Sequence, residues 1–147
     1  MYHRDIHSYD CSAGMTCVSK TVSDSGATSC TACVAGQFSP NPVTSCAACA
    51  AGTYADEAGL SACKTCSAGS VTNTLSGTGA TACTACAAGQ FSSASTTACA
   101  KCDAGKYSTA TGATSASTCQ NCDAGKYSTT TGATSAATCQ NCDAGKY

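Results

Sequence analysis

The sequence predicts a small disulfide-rich repeat protein: an elongated rod of short irregular β-hairpin units, with little helix and no large hydrophobic core. Three observations lead there. Sixteen of the 147 residues are Cys. Leu, Ile, Val and Phe together number ten, and there is no Trp. Cys-x-x-Cys recurs seven times along the chain.

The apolar content decides the class. A stated hydrophobic fraction of 43% conceals 29 Ala and 16 Cys. Burying a large apolar side chain stabilises by about 1.5–3 kcal/mol, and ordering one residue costs about 1–2 kcal/mol. Ten such side chains cannot order 147 residues. What remains is disorder or a crosslinked chain, and disordered chains carry high net charge, whereas this one has a formal charge of -1. A Cys content this high marks a disulfide scaffold. Near-neutrality also removes the basic stripe that phosphate binding needs, so no nucleic-acid partner is expected. No apolar run is long enough to span a bilayer.

The repeats set the organisation. The pairs are Cys30/Cys33, Cys46/Cys49, Cys63/Cys66, Cys83/Cys86, Cys99/Cys102, Cys119/Cys122 and Cys139/Cys142. After each comes x-Ala-Gly-x and then an aromatic: Phe38, Tyr54, Phe91, Tyr107, Tyr127 and Tyr147, with Val71 as the exception. Residues 1–10 read as a leader or fragment edge, 11–29 as a degenerate first repeat, and 30–147 as the tandem array, its last unit truncated at Tyr147. The segment Met1–Asp10 carries His3, Arg4 and Asp5 and no apolar stretch, which is not the pattern of a signal peptide.

Within a unit, Gly36, Gly52, Gly69, Gly89, Gly105, Gly125 and Gly145 hold one recurring place, which predicts a turn at positive φ. The Tyr/Phe-Ser/Ala-Thr stretches that follow favour short extended segments. A second turn is expected at Gly59, Gly77, Gly112 and Gly132. The aromatic is expected to cover a disulfide and the neighbouring unit's turn rather than a ligand. Each unit should contact only its neighbours. With about half of each unit advancing at ~3.3 Å per residue, the rod extends on the order of 100 Å, whereas a compact domain of this size has a radius of gyration of about 15 Å.

The economical pairing joins the second Cys of one unit to the first of the next: Cys17–Cys30, Cys33–Cys46, Cys49–Cys63, Cys66–Cys83, Cys86–Cys99, Cys102–Cys119 and Cys122–Cys139. Closing a loop of about 15 residues restrains the unfolded chain by roughly 3 kcal/mol. Cys11 and Cys142 are then unpaired within the chain. The rival scheme links alternate Cys of neighbouring pairs, such as Cys30–Cys46 with Cys33–Cys49, and spacing alone leaves the connectivity open. Zinc is the other reading of repeated Cys-x-x-Cys. It fits less well, because the pairs run on at near-even intervals instead of closing into units of four. A redox motif needs a helix N-terminus to lower the thiol pKa, and no amphipathic helix is visible.

The remaining candidates have plainer readings. His3 and His7 stand four apart but fall in the terminal segment. Asp103, Asp123 and Asp143 recur three residues before Lys106, Lys126 and Lys146. Calcium wants six to eight oxygens, so these read as turn-starting Asp with a solvated Lys. No Ser/His/Asp or Cys/His set is present, and no catalytic, metal or cofactor-binding residue is expected. Ser and Thr make up 43 residues, and Asn-x-Ser/Thr is absent. Loop O-glycosylation is expected at Ser92, Ser93, Ser95, Thr96, Thr97, Thr109, Thr111, Ser128, Thr129, Thr130 and Thr131. Ser39-Pro-Asn-Pro42 is a candidate for hydroxyproline-linked sugar.

The unit Cys30-Thr-Ala-Cys33-Val-Ala-Gly36-Gln-Phe38-Ser39 resembles the ephrin-receptor-like cysteine-rich repeat. It is also similar to repeats of ciliate surface antigens and, more distantly, of tumour necrosis factor receptors. The resemblance runs from about Cys11 to Tyr147 and implies an extracellular, disulfide-linked rod. It says little of function, because such repeats serve receptors, coats and fibres alike. The uniform Ala/Ser/Thr loops point to a structural segment of an extracellular filament, a mastigoneme-like flagellar hair or a cell-surface coat. Its expected partners are other copies of itself, other fibre or coat proteins, and covalent glycan. The alternative is a receptor ectodomain or adhesin stalk that binds a protein ligand.

Overall fold

A computed structural model describes residues 13–19, 27–41 and 44–146; the side chains of 16–19 and 27–30 lie outside that description. The described residues form seven separate two-stranded antiparallel sheets in series. Met15–Ser19 pairs with Ala27–Ala32, Gln37–Phe38 with Ala47–Ala48, Thr53–Tyr54 with Lys64–Thr65, and Ser70–Thr72 with Cys83–Ala85. Gln90–Phe91 then pairs with Ala100–Lys101, Lys106–Tyr107 with Gln120–Asn121, and Lys126–Tyr127 with Gln140–Asn141. Short 3₁₀ turns at Ala116–Thr118 and Ala136–Thr138 are the helical elements among the described residues.

Each hairpin follows from the x-Ala-Gly-x text. The amide four places after the trailing Cys donates back across the turn, as Gln37 does to Val34 at 3.1 Å, Gln90 to Ala87 at 3.1 Å and Lys126 to Asp123 at 3.0 Å. The glycine at its third position takes φ between 75° and 86° from Gly36 to Gly145, as a type II turn requires. The two residues after the turn pair with the two residues inside the next Cys-x-x-Cys. The trailing Cys then closes the ladder by donating to the turn glycine, as Cys49 does to Gly36 at 2.9 Å and Cys122 to Gly105 at 2.8 Å.

Successive units are joined by three recurring backbone bonds. The turn glycine donates to the residue after the next unit's aromatic: Gly36 to Ala55, Gly69 to Ser92 and Gly89 to Ser108, all at 2.8 Å. The residue after the aromatic donates to the next unit's loop, as Ser92 does to Ala113 and Ser108 to Ala133, both at 3.0 Å. A loop glycine donates back to the trailing Cys of the preceding unit: Gly59 to Cys33, Gly79 to Cys49, Gly112 to Cys86 and Gly132 to Cys102. These four glycines have φ of 78°, 73°, 65° and 68°. The second turn therefore falls on Gly79 rather than Gly77. Gly77 sits inside an extra local turn in the Cys66–Cys83 loop, donating to Thr74 at 2.8 Å.

Neighbours are not the whole of the packing. A methyl group on Gly69 would collide with the carbonyl of Gly112, and one on Gly89 would meet Gly132. The same holds for Gly36 against Gly79 and Gly14 against Gly59, while Gly52 would meet the Ser95 hydroxyl at 2.8 Å. These five turn glycines thus abut the loop two units further on, whereas Gly105, Gly125 and Gly145 have nothing within 4 Å. The expectation of nearest-neighbour contacts alone is corrected here, and the reason is steric: without a Cβ, two backbones meet where side chains would hold them apart.

The buried positions are small. The buried set holds Ser39, Ala55, Ser92, Ser108 and Ser128, each after an aromatic, and Thr72 after Val71, together with the trailing cysteines Cys33, Cys49, Cys66, Cys86 and Cys102. Ala80, Ala113 and Ala133, which follow the loop glycines, complete the set. The aromatics themselves are half-buried, and Tyr127 is 47% exposed. Single parallel bridges lay Tyr54 beside Ala80, Phe91 beside Ala113 and Tyr107 beside Ala133 of the following unit. The buried interior of a unit is its trailing Cys, the small residue at the next position after the aromatic and, in three units, the Ala that follows the loop glycine.

Candidate functional site: the cystine ladder and the loop face

Six bridges are described: Cys33–Cys46, Cys49–Cys63, Cys66–Cys83, Cys86–Cys99, Cys102–Cys119 and Cys122–Cys139. Each joins the trailing Cys of one pair to the leading Cys of the next, so the alternate-Cys scheme is not adopted. Cα–Cα separations of 5.6–5.8 Å are nearly constant although the loops span 13 to 17 residues. The hairpin register sets that constancy by placing the leading Cys beside the strand that leaves the turn. Cys11 and the side chains of Cys17 and Cys30 lie outside the described residues, and so do His3, His7 and Tyr147. Cys142 is an unbridged, half-buried thiol. It lines a cavity of about 570 Å³ with Tyr127, Asp143, Gly145 and Lys146. Among the described residues no group of three or more His, Cys, Asp or Glu is gathered as a metal set.

The residue after the aromatic organises the loop. In the two described 13-residue loops the hydroxyl donates to carbonyls two and five places on. Ser39 reaches Asn41 at 2.6 Å and Thr44 at 3.0 Å; Ser92 reaches Ala94 and Thr97, both at 2.8 Å. In two of the 17-residue loops the same hydroxyl turns acceptor, taking the Ala110 amide onto Ser108 at 3.3 Å and the Thr130 amide onto Ser128 at 3.2 Å. In the third 17-residue loop, Cys66–Cys83, Thr72 at this position donates instead, to the Leu75 carbonyl at 3.0 Å, so the path of each loop and not its length sets the role. Reading the sequence as spacing passed over this position. The signal was there in the Phe/Tyr-Ser text of four units and in the repeated Gly-Ala of the longer loops.

Ala55 breaks the pattern, and its loop is clipped by charge instead. Lys64 Nζ lies 2.7 Å from Asp56 Oδ1 and 2.9 Å from Oδ2. The hydrogen bond from Lys64 holds the Asp56 carboxyl below its usual 3.8, and the same bond raises Lys64 above 10.5. Both groups are solvent-exposed, so the pair steers the loop more than it stabilises it. Asp103, Asp123 and Asp143 accept across the first turn from Lys106, Lys126 and Lys146. They are turn-starting residues. Lys126 also lies 3.7 Å from Asp123.

The candidate glycan acceptors divide by exposure. Ser93, Thr97, Thr109, Thr111, Thr129, Thr130 and Thr131 are exposed, and Ser95 and Thr96 are half-buried. Ser92 and Ser128 are removed from that set: they are 3% and 8% exposed, and their hydroxyls are held inside the loops.

Residues 36–83 match the family model described as tyrosine-protein kinase ephrin type A/B receptor-like. That stretch contains the Cys49–Cys63 and Cys66–Cys83 bridges with their turns. Over that stretch the chain is similar to ephrin-receptor-like cysteine-rich repeats. Among curated proteins nothing matches the chain. The same turn, ladder and bridge recur on either side of the matched third, as far as Cys139. The matched family is a receptor-like cysteine-rich repeat and not an enzyme family. Disulfides persist in oxidising compartments, so the bridges and this kinship suggest a secreted or cell-surface setting. No helix among the described residues is long and apolar enough to cross a membrane.

Proposed function

We propose that the chain is a structural segment of an extracellular filament, a mastigoneme-like flagellar hair or a cell-surface coat, with O-linked glycan on its exposed loops. One observation carries this reading. The same backbone bonds link unit to unit along the array, from the Gly36–Ala55 bond to the Ser108–Ala133 bond, so the architecture extends in one dimension by adding identical joints. The loop face is lined by small hydroxyl residues with little charge and little variety between units. Such a surface offers repeated, equivalent contacts to other copies or to fibre and coat proteins. The runner-up is a receptor ectodomain or adhesin stalk, and the family match favours it.

The test is electron microscopy of the purified, oxidised chain with intact-mass analysis. Ordered fibres growing with protein concentration support the first reading. A chain that stays monomeric at high concentration and captures a protein ligand overturns it in favour of the second. Peptide mapping of protein from its natural source should find hexose on Thr109, Thr111 or Thr129–Thr131 and none on Ser92 or Ser128. Unmodified loops would remove the glycan from the proposal.

A further inference from the structure

We infer that the exposed turns at 103–106, 123–126 and 143–146 form a self-complementary ridge that docks a second copy of this chain in antiparallel orientation. The inference rests on the structural reading above and names the surface through which copies would meet. Successive turns are joined edge to edge. Each turn glycine accepts through its carbonyl from the trailing Cys of the next unit: Gly89 from Cys102, Gly105 from Cys122 and Gly125 from Cys142, all at 2.8 Å. The residue after each of those cysteines opens the next turn. The turns therefore run side by side as one ridge.

Charge on this ridge is confined to one stretch. Val34, Ala50, Ser67 and Ala87 open the earlier turns, and Asp103, Asp123 and Asp143 open the later ones. Gln, Thr or Ser closes the earlier turns, where Lys106, Lys126 and Lys146 close the later. The three charged turns share one geometry. Their Lys amides donate to the Asp carbonyls at 3.1, 3.0 and 3.1 Å, and their glycines have φ of 77°, 79° and 86°. The three Asp side chains are exposed. The ion pairs among the described residues are Lys64–Asp56 and Lys126–Asp123, so Asp103, Lys106, Asp143 and Lys146 carry unpaired charge. Asp123, at 3.7 Å from Lys126, keeps its side chain 78% exposed.

Along the ridge the signs alternate, negative then positive, three times over. Reversing a second copy sets Asp103 against Lys146, Lys106 against Asp143 and Asp123 against Lys126. Each contact is made twice about one two-fold axis, which is an isologous interface. The match needs only equal spacing between the turns, and the near-identical text of 99–120 and 119–140 supplies it. A parallel copy in register would set Asp on Asp and Lys on Lys, which repel. A polyanion is a poorer occupant, because every turn is neutral. Exposed ion pairs are individually weak, so the docking is weak and salt-sensitive, and it gains strength by repetition along the array.

The test is carbodiimide crosslinking of an equal mixture of isotopically heavy and light chain, which joins Asp carboxyl to Lys amine. At ionic strength of about 0.01 M, where charges act over about 30 Å, crosslinks between heavy and light copies should join Asp103 to Lys146 and Asp143 to Lys106. They should vanish at about 1 M salt, where that range falls to about 3 Å. Two charge-swapped chains complete the test. Asp103→Lys, Asp123→Lys and Asp143→Lys together make an all-basic ridge, and Lys106→Glu, Lys126→Glu and Lys146→Glu an all-acidic one. Both fold, because the earlier turns carry no charge at these positions. In sedimentation each alone should stay monomeric, and their mixture should associate. The ridge is overturned by the absence of any heavy–light crosslink at millimolar chain, by Asp103 joined to Lys106 of the other copy and not to Lys146, or by an all-basic chain that associates as the parent does. Ordered fibres from either charge-swapped chain would also overturn it while leaving the structural reading intact.

Discussion

Replacing Gly89 and Gly105 by Ala separates two demands that fall on one sequence position. Both residues sit third in the same turn, with φ of 75° and 77°. An L-residue held in this left-handed region costs about 1–2 kcal/mol, and both variants carry that cost. A methyl on Gly105 meets nothing within 4 Å, whereas one on Gly89 runs into the Gly132 carbonyl and lies 2.9 Å from the Ala133 oxygen. The loop at 132–133 must retreat, and it is held by the Gly132 bond to Cys102 at 2.7 Å and the Ser108 bond to Ala133 at 3.0 Å. Weakening two such bonds costs a further ~1–3 kcal/mol at about 0.5–1.5 kcal/mol each. Gly89→Ala should thus destabilise by about 2–5 kcal/mol and Gly105→Ala by about 1–2 kcal/mol. Denaturant unfolding of the oxidised chain gives the totals. Amide exchange at Ser108 and Gly132 gives the location, with acceleration in Gly89→Ala and little change in Gly105→Ala. Equal losses, with both amides equally protected, would mean that the glycine serves φ alone and that the contact two units on carries no energy.

Other outcomes follow from the loops. Ser92→Ala strips the donor from the Ala94 and Thr97 carbonyls and should cost about 1–3 kcal/mol. Ser128→Ala loses an acceptor to one amide at 3.2 Å and should cost less; the order of the two unfolding midpoints checks this. The Asp56 carboxyl, followed by NMR, should titrate below 3.8 and return toward it in Lys64→Gln or in high salt. The sign is fixed. A lowered Asp56 contributes stability above pH 3.8 that is lost as pH falls through its folded value. A raised Lys64 contributes stability below pH 10.5 that is lost as pH climbs through its own. Unfolding midpoints should be flat between those limits, and a transition near neutrality would contradict the pair's role.

Much of the fold was legible because its constraints are local and repeated. The turn needs a glycine at one place, the hairpin needs two residues on each side, and among the described residues the bridge closes the same register six times over. The interior was less legible. Hydrophobicity ranks Phe38 and Tyr54 above Ser39 and Ala55, yet the small residues are the buried ones. The distance between backbones, not transfer free energy, decides what fits there. The contact two units away was hidden for a related reason. Gly69 and Gly112 meet through backbone, and a residue with no side chain leaves no hydrophobic pattern to read. Gly79 replaced Gly77 as the second turn because the Cys66–Cys83 loop spends its extra residues on a local turn at Thr74–Gly77. The Ser92 and Ser128 hydroxyls were counted as loop surface because Ser beside Thr reads as solvated, whatever the loop does with it.

The account stands on cystine bridges between successive units doing the work of an apolar interior. The most direct measurement is a two-dimensional NMR spectrum of the chain in full reductant, with thiols counted by mass. Loss of amide dispersion together with an expanded hydrodynamic radius is the expected result, since ten large aliphatic and Phe side chains cannot hold the array once its loops are opened. A fully reduced chain that kept its native spectrum, or recovered it on adding zinc, would contradict it.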